Sequence, residues 1–175
     1  DGKTLIMKIG KGRKKEITNK QIGVSFKILK DDDKERYLGD IVGNEVKEQD
    51  TFDEPMESME KTGKKWNQQG VGPFGRAIVA NTVLLSKIKF RADVNPLSKT
   101  LRKKIKDKIR EFMWKEGKPR IRWEILLLPE EEGGVGLKDP ESMLDAAKIT
   151  LFKNLYTKTR QPWMKWIERK LDRVK

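Results

Sequence analysis

The chain has 175 residues, of which 35% are hydrophobic and 38% charged, and 40 Lys and Arg against 27 Asp and Glu leave a formal charge of +13. That length supports one domain or two small ones with a modest core, which excludes disorder throughout, and the cationic excess suits a polyanionic partner, nucleic acid or an anionic membrane surface. The absence of Cys and His excludes disulfides, zinc knuckles, thiol nucleophiles and imidazole acid–base chemistry, and confines any metal to oxygen ligands.

No apolar run approaches the roughly 20 residues that cross a bilayer, and the N-terminus lacks the apolar core of a signal peptide. An intracellular, soluble chain with no membrane partner is expected. Its opening, Asp1-Gly2-Lys3-Thr4 leading straight into Leu5-Ile6-Met7, has the look of a cut through a larger protein.

Residues 4 to 9 and 24 to 29 are short and apolar-rich on either side of the polar segment Gly10 to Lys20, a strand, loop, strand pattern. Asp31-Asp32-Asp33-Lys34 then separates Phe26–Leu29 from Tyr37–Val42, and alternation on both sides predicts a β-hairpin with the acids at its tip. Phe52, Met56, Met59 and Trp66 fall at helical spacing, with Asp53 as N-cap and Pro55 in the first turn. Gly63 weakens this helix and Gly70-Val71-Gly72-Pro73 ends it.

A second helix, from about Gly75 to Ala92, is apolar around more than half its circumference and is expected to be the best buried. Asn95-Pro96 breaks it, and Ser98 caps a third, from about Lys99 to Trp114, with Leu101, Ile105, Ile109, Phe112 and Met113 on its apolar face. From Gly117 the pattern is irregular and predicts a compact connector with a short helical turn. A helix from about Pro140 to Thr157 follows. After Gln161-Pro162 comes a last amphipathic helix, with Trp163, Trp166, Ile167, Leu171 and Val174 opposite Lys165, Arg169, Lys170 and Arg173. The expected fold class is α+β, mainly α: a small antiparallel sheet or hairpin, then a helical bundle and a helical connector.

Two-metal chemistry needs carboxylates converging from separate elements. Asp31 to Asp33 share one turn between Lys30 and Lys34, and Glu130 to Glu132 are equally local, so both read as solvated surface. Gly133-Gly134-x-Gly136 lacks the strand and helix of a dinucleotide loop and follows three acids, which leaves a tight backbone turn. Without a histidine base the lone Ser and Thr residues do not make a hydrolase. No catalytic residue is assigned.

The strongest physical signal is the third helix. Arg102, Lys106 and Arg110 lie four apart and stack into one stripe, with Lys99 and Lys103 on the adjoining row, a line of cations that a phosphate backbone can follow. Asp107 is the one acid interspersed at that spacing. Trp66, Trp114, Trp123, Trp163 and Trp166 offer base-stacking platforms or, on apolar helix faces, core anchors. Arg76, in the first turn of an apolar helix, either pins a phosphate or caps onto a neighbouring acid.

The order of motifs is specific. Tyr37-Leu38-Gly39, a Trp66-bearing helix, Gly75-Arg76 opening Ala77 to Ile88, Phe112-Met113-Trp114, Pro119-Arg120-Ile121 and Gly133-Gly134-Val135-Gly136-Leu137 together resemble the C-terminal half of a LINE-type, non-LTR retrotransposon reverse transcriptase, over roughly residues 3 to 167. The resemblance implies three segments. Residues 1–45 would be a palm edge, with Lys3-Thr4 and Gly10 ending motif D and Tyr37, Leu38 and Gly39 in a primer-grip hairpin. Residues 46–116 would be a thumb closing on the template-primer duplex. Residues 117–175, Arg120 and Arg122 included, would be a connector touching template RNA and target DNA.

The family's catalytic aspartates lie upstream of motif D, and no Tyr/Phe-x-Asp-Asp occurs here. The expectation is a fragment of an RNA-directed DNA polymerase that does not polymerise alone and holds no cofactor, the parent enzyme using Mg. Its partners would be an RNA/DNA or RNA template-primer duplex and the upstream fingers and palm, in the nucleus. The alternative is a domesticated basic scaffold that docks other proteins.

Overall fold

The computed structural model describes residues 4–8, 27–115, 117–157 and 164–171. The motif D positions Lys3 and Gly10, the loop Gly10 to Lys20, Trp163, and the side chain of Trp166 lie outside the described residues. Packing divides the chain into two compact units, Asp1–Ser58 and Met59–Lys175.

In the first unit, β1 (Leu5–Met7) pairs in parallel with β2 (Lys27–Leu29), Ile6 opposite Ile28, and buries Leu29. The hairpin expected across Asp31 to Asp33 does not form. Those acids close a local turn, Lys30 N–H donating to Asp33 Oδ2 at 2.9 Å and Asp33 N–H to the Lys30 carbonyl at 3.2 Å, and the chain passes from one sheet to another. The antiparallel hairpin is instead β3 (Lys34–Tyr37) with β4 (Asp40–Gly43), Tyr37 opposite Asp40. Its two-residue turn is Leu38-Gly39, at φ 50° and 87°, the left-handed pair that suits the twist of a tight hairpin.

α1 (Glu48–Asn67) begins before the expected cap at Asp53. Asp50 in the first turn reaches back to accept from Lys47 N–H at 2.7 Å and pairs with Lys34 Nζ at 2.6 Å. These bonds, the Lys34 one first, hold its carboxyl below the ordinary range. Such a reach-back caps the helix start, and the negative charge complements the macrodipole. Pro55 therefore lies inside the helix and is buried.

The second unit starts on α1. Gly63 is buried where a Cβ would stand 3.4 Å from the Phe112 ring. The long helix expected over 75–92 is three segments: α2 (Pro73–Val79), a π-helical turn (Ala80–Leu84) and α3 (Leu85–Val94). The wider turn accommodates an extra residue, and consecutive Leu84 and Leu85 are both buried. As expected, this stretch is the best buried of the helices among the described residues, with Ala77, Val79, Ala80, Leu84, Leu85, Ile88 and Ala92 in the core, while Phe74, Ile78, Phe90 and Val94 are exposed.

α4 (Lys99–Met113) matches its sequence signals closely. Ser98 Oγ accepts from Leu101 N–H at 3.1 Å, and Ile105, Ile109, Phe112 and Met113 are buried. The connector holds α5 (Trp123–Leu127) and a single 3₁₀ turn (Glu130–Glu132). The glycine run is a backbone turn. Gly133 ends the 3₁₀ turn at φ 82°, and Gly136 N–H and Leu137 N–H return to the carbonyls of Leu128 and Leu126 at 2.9 and 3.0 Å. A Cβ on Gly134 would meet the Leu128 oxygen at 1.9 Å, so the strand of backbone passes only if that residue has no side chain. Asn81, on the π turn, clamps the loop by donating to the Gly136 carbonyl and accepting from Lys138 N–H, both at 2.8 Å.

α6 (Pro140–Thr157) starts with Pro at its first position and Asp139 as cap, Oδ2 accepting from Ser142 N–H at 3.0 Å. It packs on α3 and α4. α7 (Met164–Leu171) buries Met164, with Ile167 half-buried.

Candidate nucleic-acid interface

In the first unit the hairpin tip presents Tyr37 and Leu38 to solvent, 66% and 78% exposed. Leu38 sits in the left-handed region, which costs a residue with a Cβ about 1–2 kcal/mol. This strained apolar side chain therefore takes no part in the core. Gly39, beside it, completes the turn at no such cost.

The second unit holds the cationic helix α4. Its apolar stripe is turned to the core, so its cations occupy the flanks and the outer face. The open stripe of Arg102, Lys106 and Arg110 expected from their four-residue spacing is corrected by what lies beside it. Arg102 Nη1 pairs with Asp145 Oδ1 of α6 at 2.8 Å, and its side chain is only 19% exposed. Lys106 Nζ and Arg110 Cζ stand 5.4 and 5.3 Å from the centroid of the Trp123 ring, within cation–π range. Arg110 also lies 3.9 Å from Asp107. The stripe is a seam against α5 and α6, since the same spacing that lines up cations also lines up a packing edge.

On the opposite flank Lys108 bridges Glu60 of α1 and Glu111, both at 3.2 Å. Burial lowers the Lys108 pKa, but the two carboxylates outweigh it and raise it. Hydrogen bonds from Lys64 and then Lys108 lower that of Glu60. Exposed cations with no ion pair among the described residues remain on the outer face: Lys99 and Lys103 from the expected set, and Lys104, which the stripe reasoning missed. The connector adds Arg120 and Arg122, likewise exposed and unpaired.

Arg76 does neither of the two things expected of it. It is 3% exposed, and its guanidinium meets no acid. Nε donates to the Val71 carbonyl at 2.9 Å; Nη1 donates to Asn67 Oδ1 at 2.6 Å and to the Phe112 carbonyl at the C-terminal end of α4. Cζ lies 5.2 Å from the Phe112 ring centroid. Burial lowers its pKa. A cation at a helix C-terminus is favoured by the macrodipole and satisfies a terminal carbonyl, so Arg76 joins the end of α1, the start of α2 and the end of α4.

Of the tryptophans, Trp66 is exposed, Trp114 half-buried and Trp123 buried under its two cations. Among the described residues no three carboxylates converge. Comparison of the chain with models of known protein families and with curated proteins finds no match.

Proposed function

We propose that the chain is the template-primer-holding portion of a LINE-type, non-LTR retrotransposon reverse transcriptase, without the catalytic aspartates and their magnesium. The observation that carries this reading is the outer face of α4, where Lys99, Lys103 and Lys104 stand exposed and unpaired on a helix otherwise locked into its neighbours. Cations fixed on a rigid element and not compensated by carboxylates displace the counterions condensed on the phosphates they neutralise. The exposed Tyr37 and Leu38 add an apolar contact of the kind the resemblance assigns to a primer grip. An A-like duplex, RNA/DNA or RNA/RNA, fits because its backbone and 2′-hydroxyls are readable without sequence-specific contacts. The upstream fingers and palm of the same polymerase would be the protein partner, and the nucleus the place of action.

Salt dependence tests it. About five neutralised phosphates give a log–log slope of affinity against salt near −4. The combined Lys99→Gln, Lys103→Gln, Lys104→Gln variant reduces that slope by about three and weakens all sequences alike, whereas Arg102→Gln leaves it unchanged because Arg102 already pairs with Asp145. An affinity indifferent to salt, or a triple variant that binds as the parent does, overturns the proposal.

A second reading has its own observation. Phe74 and Ile78 on α2, and Phe90 and Val94 on α3, are exposed one turn apart in each pair, apolar side chains that suit a protein partner and the scaffold alternative. Pull-downs with and without nuclease separate the two: a scaffold keeps its partner after nuclease, a nucleic-acid binder loses it.

A further inference from the structure

The helix that runs from α2 through the π turn into α3 carries large apolar side chains on the side away from the core: Phe74, Ile78, Phe90 and Val94 are 51, 60, 54 and 66% exposed. On a regular helix of 3.6 residues per turn they would spread over about 200° of the circumference. The π turn absorbs one residue. Ile78 and Phe90, twelve apart in the sequence, therefore stand as eleven helical steps do, close to three whole turns, and all four side chains fall within an arc of about 100°. Thr82 and Ser86 fill the middle of that arc, exposed but with their hydroxyls turned onto their own helix. Thr82 Oγ1 donates to the Ile78 carbonyl at 2.7 Å and Ser86 Oγ to the Val83 carbonyl at 2.9 Å. Charge is confined to the edges, where Lys89 pairs with Asp93 at 2.8 Å on one side and the half-buried Lys87 stands on the other.

The six residues are also symmetric about the level of Leu84. Two copies laid antiparallel about a two-fold axis there set Phe74 against Val94, Ile78 against Phe90 and Thr82 against Ser86. Large side chains meet large ones on the flanks, and small ones meet where the helices cross. Reciprocal contact through one surface defines an isologous interface, and small residues at the crossing permit the axial separation of about 8–10 Å of packed helices. The same two-fold sets no like charges opposite one another: Lys87 comes to Asn81, Asp93 to Gly75 and Lys89 to the level of Val79. For a chain of charge +13, this uncharged strip is where a second copy approaches at least electrostatic cost. We propose that the chain pairs with a second copy of itself through this face of α2 and α3, antiparallel and centred on Leu84. An unrelated partner would make no use of the symmetry of the six residues. The contact requires neither the duplex reading nor a scaffold role.

Sedimentation equilibrium of the full, nuclease-treated chain tests it. The mass rises with concentration toward twice 20.4 kDa, and more so at about 0.5 M than at about 0.15 M salt, because screening weakens the repulsion between two cationic chains. The two-fold buries each position twice, so Ile78→Lys or Phe90→Lys, each at an exposed site, weakens pairing by about a hundredfold or more with an unchanged circular dichroism spectrum. Ile78→Glu and Phe90→Lys combined in one chain recover about tenfold or more of that loss, because each Glu then meets a Lys of the other copy; three turns apart, the two cannot meet within one helix. The chain has no Cys, so a mixture of Thr82→Cys and Ser86→Cys chains reports the register: on oxidation the mixed dimer exceeds its statistical share. The proposal falls if the treated chain stays monomeric at about 100 μM, if Ile78→Lys pairs as the parent does, or if same-residue cross-links prevail. A monomer that keeps a different protein through nuclease treatment also overturns the pairing and leaves the scaffold reading standing. A dimer with no affinity for duplex upholds the pairing and refutes the duplex reading.

Discussion

Replacing Arg76 by Met keeps the aliphatic stem and removes the guanidinium that joins three backbone segments. Its loss strips one donor each from the Val71 carbonyl, Asn67 Oδ1 and the Phe112 carbonyl. The buried Phe112 carbonyl costs about 1–3 kcal/mol when orphaned and the two part-buried acceptors, on Val71 and Asn67, about 1 kcal/mol each, a gross loss of roughly 3–5 kcal/mol. Two effects offset part of it. The Phe112 carbonyl retains the Lys115 N–H at 3.4 Å, and a charge buried without a carboxylate no longer has to be desolvated. The net destabilisation is then about 2–4 kcal/mol, on the scale of a broken buried network, and the melting temperature falls by roughly 5–15 °C for a chain of this size. Arg76→Lys, with charge but no fork, recovers less than half. Urea unfolding followed by circular dichroism measures this as a lower midpoint at unchanged m-value. If Arg76→Met unfolds within about 1 kcal/mol of the parent, the side chain is not the tie described here.

Other perturbations probe the glycine turn, the hairpin tip and the α1–α4 ion pairs. Gly134→Ala forces a Cβ against the backbone oxygens of Leu128 and Ile125, 1.9 and 2.7 Å away, and destabilises by about 2–4 kcal/mol; thermal unfolding and loss of amide protection at Lys138, which Asn81 holds, report it. Leu38→Gly relieves the left-handed strain and stabilises the hairpin by up to about 1 kcal/mol while weakening nucleic-acid affinity; a variant that gains stability and keeps full affinity removes Leu38 from the interface. Glu60 has a pKa lowered from its ordinary 4.5, so its contribution is complete above that value and is lost as pH falls through the lower folded one. Glu60→Gln should therefore flatten the acid side of the stability–pH profile, and an unchanged profile counts against the Lys64–Glu60–Lys108 chain.

How far each element was legible in the sequence depends on whether its determinants are local. α4 and α6 were read almost to the residue because caps, proline and apolar period are all within one turn of the ends they set: Ser98 before α4, Asp139-Pro140 before α6. The glycine run was read as a turn for the same reason. The hairpin was misplaced because Asp31-Asp32-Asp33 and Leu38-Gly39 both make turns, and strand pairing decided between them: β2 found β1 in parallel, and only β3 remained for β4. The π turn, which lengthens one turn of an otherwise regular helix, leaves no mark in hydrophobic period.

The sequence by itself determined the mainly helical class, the ends of the best-capped helices, the cationic excess and the absence of thiol and imidazole chemistry, since composition and nearest-neighbour geometry carry all of these. Tertiary structure alone decided which cations are available. Arg76, Arg102, Lys106 and Arg110 look alike in sequence to Lys99, Lys103 and Lys104, yet the first four meet carbonyls, a carboxylate or an indole face from segments up to 43 residues away and the last three meet solvent. The physical reason is that a charge is spent or free according to what approaches it in space, and helical periodicity specifies a direction of approach without naming the neighbour.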